Sequence, residues 1–179
     1  LILAGQKAER NYNSSQAQKY FEDARSVLVE VPHTPQQTLQ IHAGLGDALV
    51  LAGDYPATRA EYQLAVEAMA GDEKNNAEMV CSLKRKIGMT HERQGDYDQA
   101  LVCLGEARDV LVETGLDSPA ELSQILNDTG WIYFRRSNLD EAEKCLLQAQ
   151  ELAEKAARLD LVSSVYNRLG GVYYQKGRL

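Results

Sequence analysis

Asn127, Trp131, Phe134 and Arg135 stand at steps of four, three and one, so a helix would bring an amide, two aromatic rings and a guanidinium to one face. Groups of these types make no bond together; they recognise. Arginine pairs with carboxylates, tryptophan fills an apolar pocket, and an asparagine amide both donates to and accepts from a peptide backbone. The same spacing recurs at Arg85, Met89, Glu92 and Arg93, at Asn167, Gly171, Tyr174 and Gln175, and at Ala43, Asp47, Val50 and Leu51. Asn127 and Asn167 occupy equivalent places 40 apart. The alternative for Trp131 and Phe134 is packing between neighbouring helices, with the arginines solvated, because buried aromatic rings are most often core.

Catalysis lacks its parts. His33, His42 and His91 are scattered, and the stretch "THERQ" supplies one histidine without the second that a zinc-binding helix needs. Cys103 and Cys145 lie 42 apart and Cys81 lies elsewhere, with no C-x-x-C spacing, so buried thiols rather than metal ligands are expected. "GLGDAL" at 44–49 has two glycines but no preceding strand and no third glycine, so it cannot cradle a phosphate. The acid pairs Glu141/Glu143 and Glu151/Glu154 fit the solvated outer face of a helix. No nucleophile has a base beside it, and the sequence predicts a non-enzymatic chain without metal or cofactor.

The elements that position these faces repeat. Gly53-Asp54-Tyr55, Gly95-Asp96-Tyr97 and Ser137-Asn138-Leu139 recur at a step of 42, and Gly5, Gly46, Gly88, Gly130 and Gly170 step by 41, 42, 42 and 40. Self-similarity at such a period marks a solenoid. Helical apolar spacing flanks each turn, as in Ala100, Leu104, Ala107 and Leu111. A glycine inside a helix costs about 1 kcal/mol relative to alanine, so its recurrence calls for close approach of the paired helix. Gly-Asp ends one helix with a residue free to take positive φ and caps the next with a carboxylate. Helix pairs are predicted at 1–12 and 14–31, 35–52 and 55–71, 74–94 and 97–114, 118–136 and 139–158, with a lone helix from 160.

The glycine, tyrosine and alanine positions of Gly46, Gly53-Asp54-Tyr55, Tyr62 and Ala65, and of Gly88, Gly95-Asp96-Tyr97, Ala100 and Ala107, resemble the tetratricopeptide repeat. Thr129-Gly130, Tyr133, Ala142, Leu146 and Ala149, then Leu169-Gly170 and Tyr173, continue it; Ala17, Phe21 and Ala24 fit a degenerate first copy. Thr58 departs from the pattern, as does Ser137-Asn138. The period, longer than the usual repeat of about 34 residues, resembles the copies in kinesin light chains and in helical arrays attached to bacterial signalling ATPases and cyclases. The resemblance implies an all-α right-handed superhelix: one array over 1–179 with copies near 1–34, 35–75, 76–117, 118–159 and a partial 160–179. It implies a concave groove lined by the first helix of each pair, holding Arg85, Met89, Arg93, Asn127, Trp131, Phe134, Arg135, Asn167 and Tyr174. Set against the carboxylate clamp of the family's co-chaperone branch, Arg85, Met89, Asp128, Ser164 and Arg168 do not match, and Asp128 would repel a terminal carboxylate.

Composition bounds the partners. Twenty-six acidic residues against nineteen basic give a net charge of -7, which repels nucleic acid and anionic membranes. No run of about 18 apolar residues appears, and three cysteines at wide spacing fit a reducing compartment. The sequence thus predicts a cytoplasmic interaction module for a protein or peptide partner, with an acidic, amphipathic segment in the groove. Its place would be the sensor or scaffold arm of a larger signalling protein, of which the chain is expected to be a fragment. The alternative is a structural spacer, or self-association through Leu169, Val172 and Tyr173 of the last helix.

Overall fold

The computed structural model describes residues 1–72 and 74–177, so positions 178–179 of the partial last copy lie outside the described residues. Nine helices are found among the described residues, and no strand: α1 (Ile2–Arg10), α2 (Ser14–Leu28), α3 (Pro35–Ala52), α4 (Tyr55–Glu67), α5 (Ala77–Arg93), α6 (Tyr97–Thr114), α7 (Pro119–Arg135), α8 (Leu139–Lys155) and α9 (Leu159–Gln175). The all-α expectation holds. Helix ends fall short of the predicted ones by up to four residues, most at α4, where Ala68 to Gly71 form turns that close on Gly71 at φ +86°.

Local chemistry sets the breaks. Gly53 and Gly95 stop α3 and α5 at φ +79° and +82°, and the carboxylates of Asp54 and Asp96 then accept the backbone N–H of Ala57 and Gln99. Ser137 adopts the same left-handed turn at φ +60° without a glycine. Thr34 and Gln37 form a reciprocal capping box that spans Pro35 at the start of α3.

Each helix packs on the next in sequence. The odd helices also touch one another directly, α1 on α3, α5 on α7 and α7 on α9. That layer is the tighter one, so it forms the inner wall of the superhelix and the even helices form the outer wall. Between them runs a core of Leu39, Tyr62, Leu83, Leu104 and Ile132 with Ala65, Ala100 and Ala107. Phe21 fills the first end of the array, and Leu146, Val165 and Val172 fill the last.

The recurring glycines mark where helices meet. A Cβ on Gly46 would sit 2.3 Å from the Tyr62 ring, and one on Gly130 2.7 Å from Leu146 Cγ. Gly170 differs, since nothing lies within 4 Å of its added Cβ. Gly170→Ala is therefore expected to raise stability by about 0.5–1 kcal/mol through helix propensity alone. An unchanged or lower urea midpoint would reveal a contact at this face.

The proposed self-association face is corrected by the packing. Leu169 and Val172 are buried against α8, and Tyr173 packs at their edge, so these side chains are spent inside the solenoid. What α9 turns outward is Leu159, Tyr166 and Tyr174.

Candidate functional site

The inner wall gathers residues from α3, α5, α7 and α9. A cavity of about 340 Å³ opens there, lined among others by Asp47, Arg85, Lys86, Met89, Arg93 and Arg168. Four cations face two carboxylates, Asp47 and Asp128. The surplus is notable on a chain whose net charge is -7.

Most of these charges are committed. Asp128, whose side chain is 8% exposed, accepts from Arg85 Nη1 at 2.7 Å and from Arg168 Nη1 at 3.0 Å. Arg168 also donates to the Asn127 carbonyl at 2.6 Å. Asp128 is thus the pin that joins α5, α7 and α9; the sequence had presented it as a carboxylate-repelling departure. Lys86 pairs with Asp47 at 2.6 Å, and the same Asp47 oxygen accepts the Tyr62 hydroxyl at 2.6 Å. Burial, with Asp47 beside it, holds the Tyr62 phenol well above its usual range.

Trp131 is also held. Its indole N–H donates to Glu92 at 2.9 Å, its ring stacks on Phe134 with centroids 5.4 Å apart, and the guanidiniums of Arg135 and Arg168 lie over it at 5.7 and 5.4 Å. Arg135 reaches Glu92 at 3.7 Å and lies over Tyr97. Phe134 rests against Gly171 of α9 and belongs to the last core cluster, which makes it chiefly a packing residue. A tryptophan ring stacked on Phe134, tied by its N–H and contacted by two guanidiniums, is a rigid platform rather than a free side chain.

The two asparagines part company. Asn127 is buried and donates to Ser164 Oγ at 3.0 Å, while its Oδ1 has no partner; Asn167, its equivalent in the repeat, is exposed. Tyr174 is 72% exposed. Met89 lines the cavity beside Val50. Arg93 is exposed, lies over the Tyr55 ring at 6.0 Å, and makes no ion pair among the described residues.

Sequence reasoning therefore brought Arg85, Met89 and Arg93 to one cavity and Trp131, Phe134 and Arg135 to the wall beside it. It missed Lys86 and Arg168 as cavity residues, Asp47 and Asp128 as their counterweights, and Glu92 as the partner of Trp131 and Arg135. The available signal was spacing: Asp128 lies 43 after Arg85 and 40 before Arg168, about one repeat each way.

The cysteines follow the expected buried pattern for Cys81 and Cys145, with Cys103 half-buried. Burial pushes the Cys81 thiol up to about 12, away from thiolate chemistry. Among the described residues no cluster of three or more His, Cys, Asp or Glu could hold a metal ion, and no helix is long and apolar enough to cross a membrane.

Residues 78–155 match the family model of the tetratricopeptide repeat. No curated protein matches the chain by sequence. Solved structures share its fold at low identity. BtubC from P. vanneervenii aligns with a TM-score of 0.77 and 18% identity over 97% of this chain and 70% of its own. Apo RapI gives 0.86 and 14%, over 98% of this chain and 62% of its own. The Rap conjugation gene regulator of plasmid pLS20, solved in complex with the Phr* peptide, gives 0.72 and 14%, over 97% of this chain and 52% of its own. The chain thus spans about three fifths and about half of these two Rap proteins.

Proposed function

From the premise that the chain is a helical superhelix carrying tetratricopeptide repeats, we propose that its inner wall receives an extended peptide or partner segment with acidic side chains. The observation that carries this is the cavity of about 340 Å³ whose cations outnumber its carboxylates on an otherwise acidic chain. Arg93 supplies the uncommitted charge. Arg85 and Arg168, fixed by Asp128, present the remaining guanidinium edges at low entropic cost. Met89 and Val50 give the cavity an apolar floor, with the Trp131 ring on the wall beside it. A protein of the same fold was solved with a peptide, which supports the choice of ligand class.

In this reading the chain is a non-catalytic module, the sensor or scaffold arm of a larger cytoplasmic signalling protein. It resembles the long-repeat arrays in its period of 42. The competing role is a spacer or self-associating solenoid, but the apolar residues expected to drive self-association pack inward.

The test is binding of a labelled acidic, amphipathic dodecapeptide. Arg93→Glu, at an exposed position, is expected to weaken it at least tenfold, about 1.4 kcal/mol, and to flatten its salt dependence. Equal affinity for both proteins would remove the inner wall from consideration.

A further inference from the structure

A second cavity system lies on the opposite side of the solenoid. One cavity of about 340 Å³ opens between α6 and α8 over α7, lined by Leu101, Gly105, Arg108 and Cys145 among others. Another, of about 230 Å³, continues it past Val112 and Leu152. Arg108 lines both, so the two join in one trough along the outer wall. Leu101, Gly105, Arg108 and Val112 follow one another at steps of four, three and four, which places them on a single face of α6.

Two features of this face have no use inside the chain. Gly105 is in the middle of α6, where glycine weakens a helix by about 1 kcal/mol, yet nothing lies within 4 Å of a Cβ added there. The repeat does not demand it either. One period before and after stand Gln63 and Leu147, both exposed. Arg108 is exposed and has no ion pair, hydrogen bond or ring contact among the described residues, while its neighbour Lys144 is engaged with Glu141 at 3.9 Å. A glycine without an internal packing partner and an unpaired cation, both lining one trough, point outward to the same occupant. The glycine admits a close backbone, and the arginine awaits a carboxylate.

We propose that this outer trough is a docking site for an extended segment of a partner protein that carries an acidic residue between two aliphatic ones. The spacing follows from α6. Leu101 and Val112 are eleven residues apart, about 16 Å along the helix axis. An extended chain covers that in about five residues, with its acidic side chain about two thirds of the way from Leu101, opposite Arg108. The site is separate from the inner wall, and its occupant need not compete with the groove ligand.

The probe is a labelled decapeptide with two leucines five residues apart and a glutamate between them, measured by fluorescence anisotropy against the 179-residue chain. A second probe carries lysine in place of the glutamate. Saturable binding of the first, at least tenfold tighter than of the second, is expected. Gly105→Leu should abolish it without harming the fold, because leucine is the residue one period later and improves the helix. Arg108→Glu should abolish it as well, and the inner-wall variant Arg93→Glu should leave it unchanged. No saturable binding, or binding unaffected by Gly105→Leu, overturns the proposal. So does loss of binding with Arg93→Glu alone, which would assign the peptide to the inner wall. A dimer of the unliganded chain in sedimentation, lost on Gly105→Leu, would also overturn it by making a second copy the occupant.

Discussion

Replacing Asp128 with alanine is expected to cost the solenoid about 3–4 kcal/mol, the range for stranding a buried charge whose partner has been removed. Asp128 is 8% exposed at its side chain, and Arg85 and Arg168 are 17% and 22% exposed, so neither arginine can recover full hydration where it stands. Two guanidiniums from α5 and α9 would face each other across α7 without the carboxylate they share. Chemical denaturation with urea would measure the loss directly. The physical cause is checked by adding Arg85→Met and Arg168→Met to Asp128→Ala. If unpaired charge is responsible, the triple variant should regain most of the loss, because aliphatic chains of similar length pack there without a desolvation penalty. If the triple variant is weaker still, Asp128 acts through geometry that methionine cannot supply. The milder Asp128→Asn separates stability from binding. It should lower stability, yet tighten the acidic peptide in the inner wall, because the arginines lose their internal competitor.

That dual role shows where sequence reasoning stops. The helices were legible because their signals are local: Gly53 and Gly95 at positive φ, Asp54 and Asp96 as caps, and Ala100, Leu104 and Ala107 at helical steps, all within about twenty residues. The inner-wall face was legible for the same reason, since i, i+4 and i+7 lie on one side of a helix. What stayed hidden was partnership between copies. Whether Arg85 greets a ligand or Asp128 depends on how α5 and α7 cross, which no spacing within one helix encodes. Trp131 carried both possibilities in the sequence, and Glu92, the penultimate residue of α5, engages its indole N–H. Leu169 and Val172 were expected to lie open because a neighbour was missing on one side of α9; α8 covers them from the other.

Gly46→Ala is expected to destabilise the fold by about 3 kcal/mol, at the upper end of what overpacking a core costs. The added Cβ would meet Tyr62 Cε1 at 2.3 Å and Cδ1 at 2.4 Å, well inside contact distance. Tyr62 cannot swing aside cheaply. It is 1% exposed, its hydroxyl donates to Asp47, and Lys86 Nζ lies 5.5 Å over its ring, so moving it breaks a hydrogen bond and disturbs an inner-wall cavity. The next copy suggests the remedy, because Leu104 stands where Tyr62 does and the Cβ of an alanine at 88 would lie 3.5 Å from Leu104 Cγ, although in the copy after it Leu146 Cγ lies 2.7 Å from a Cβ added at Gly130. Tyr62→Leu should therefore be costly beside Gly46 and much less so beside alanine. A double-mutant cycle at these two sites should give a coupling above about 1 kcal/mol. Strict additivity would mean that α3 and α4 part to admit the methyl group, and that the glycine does not set how closely these helices meet.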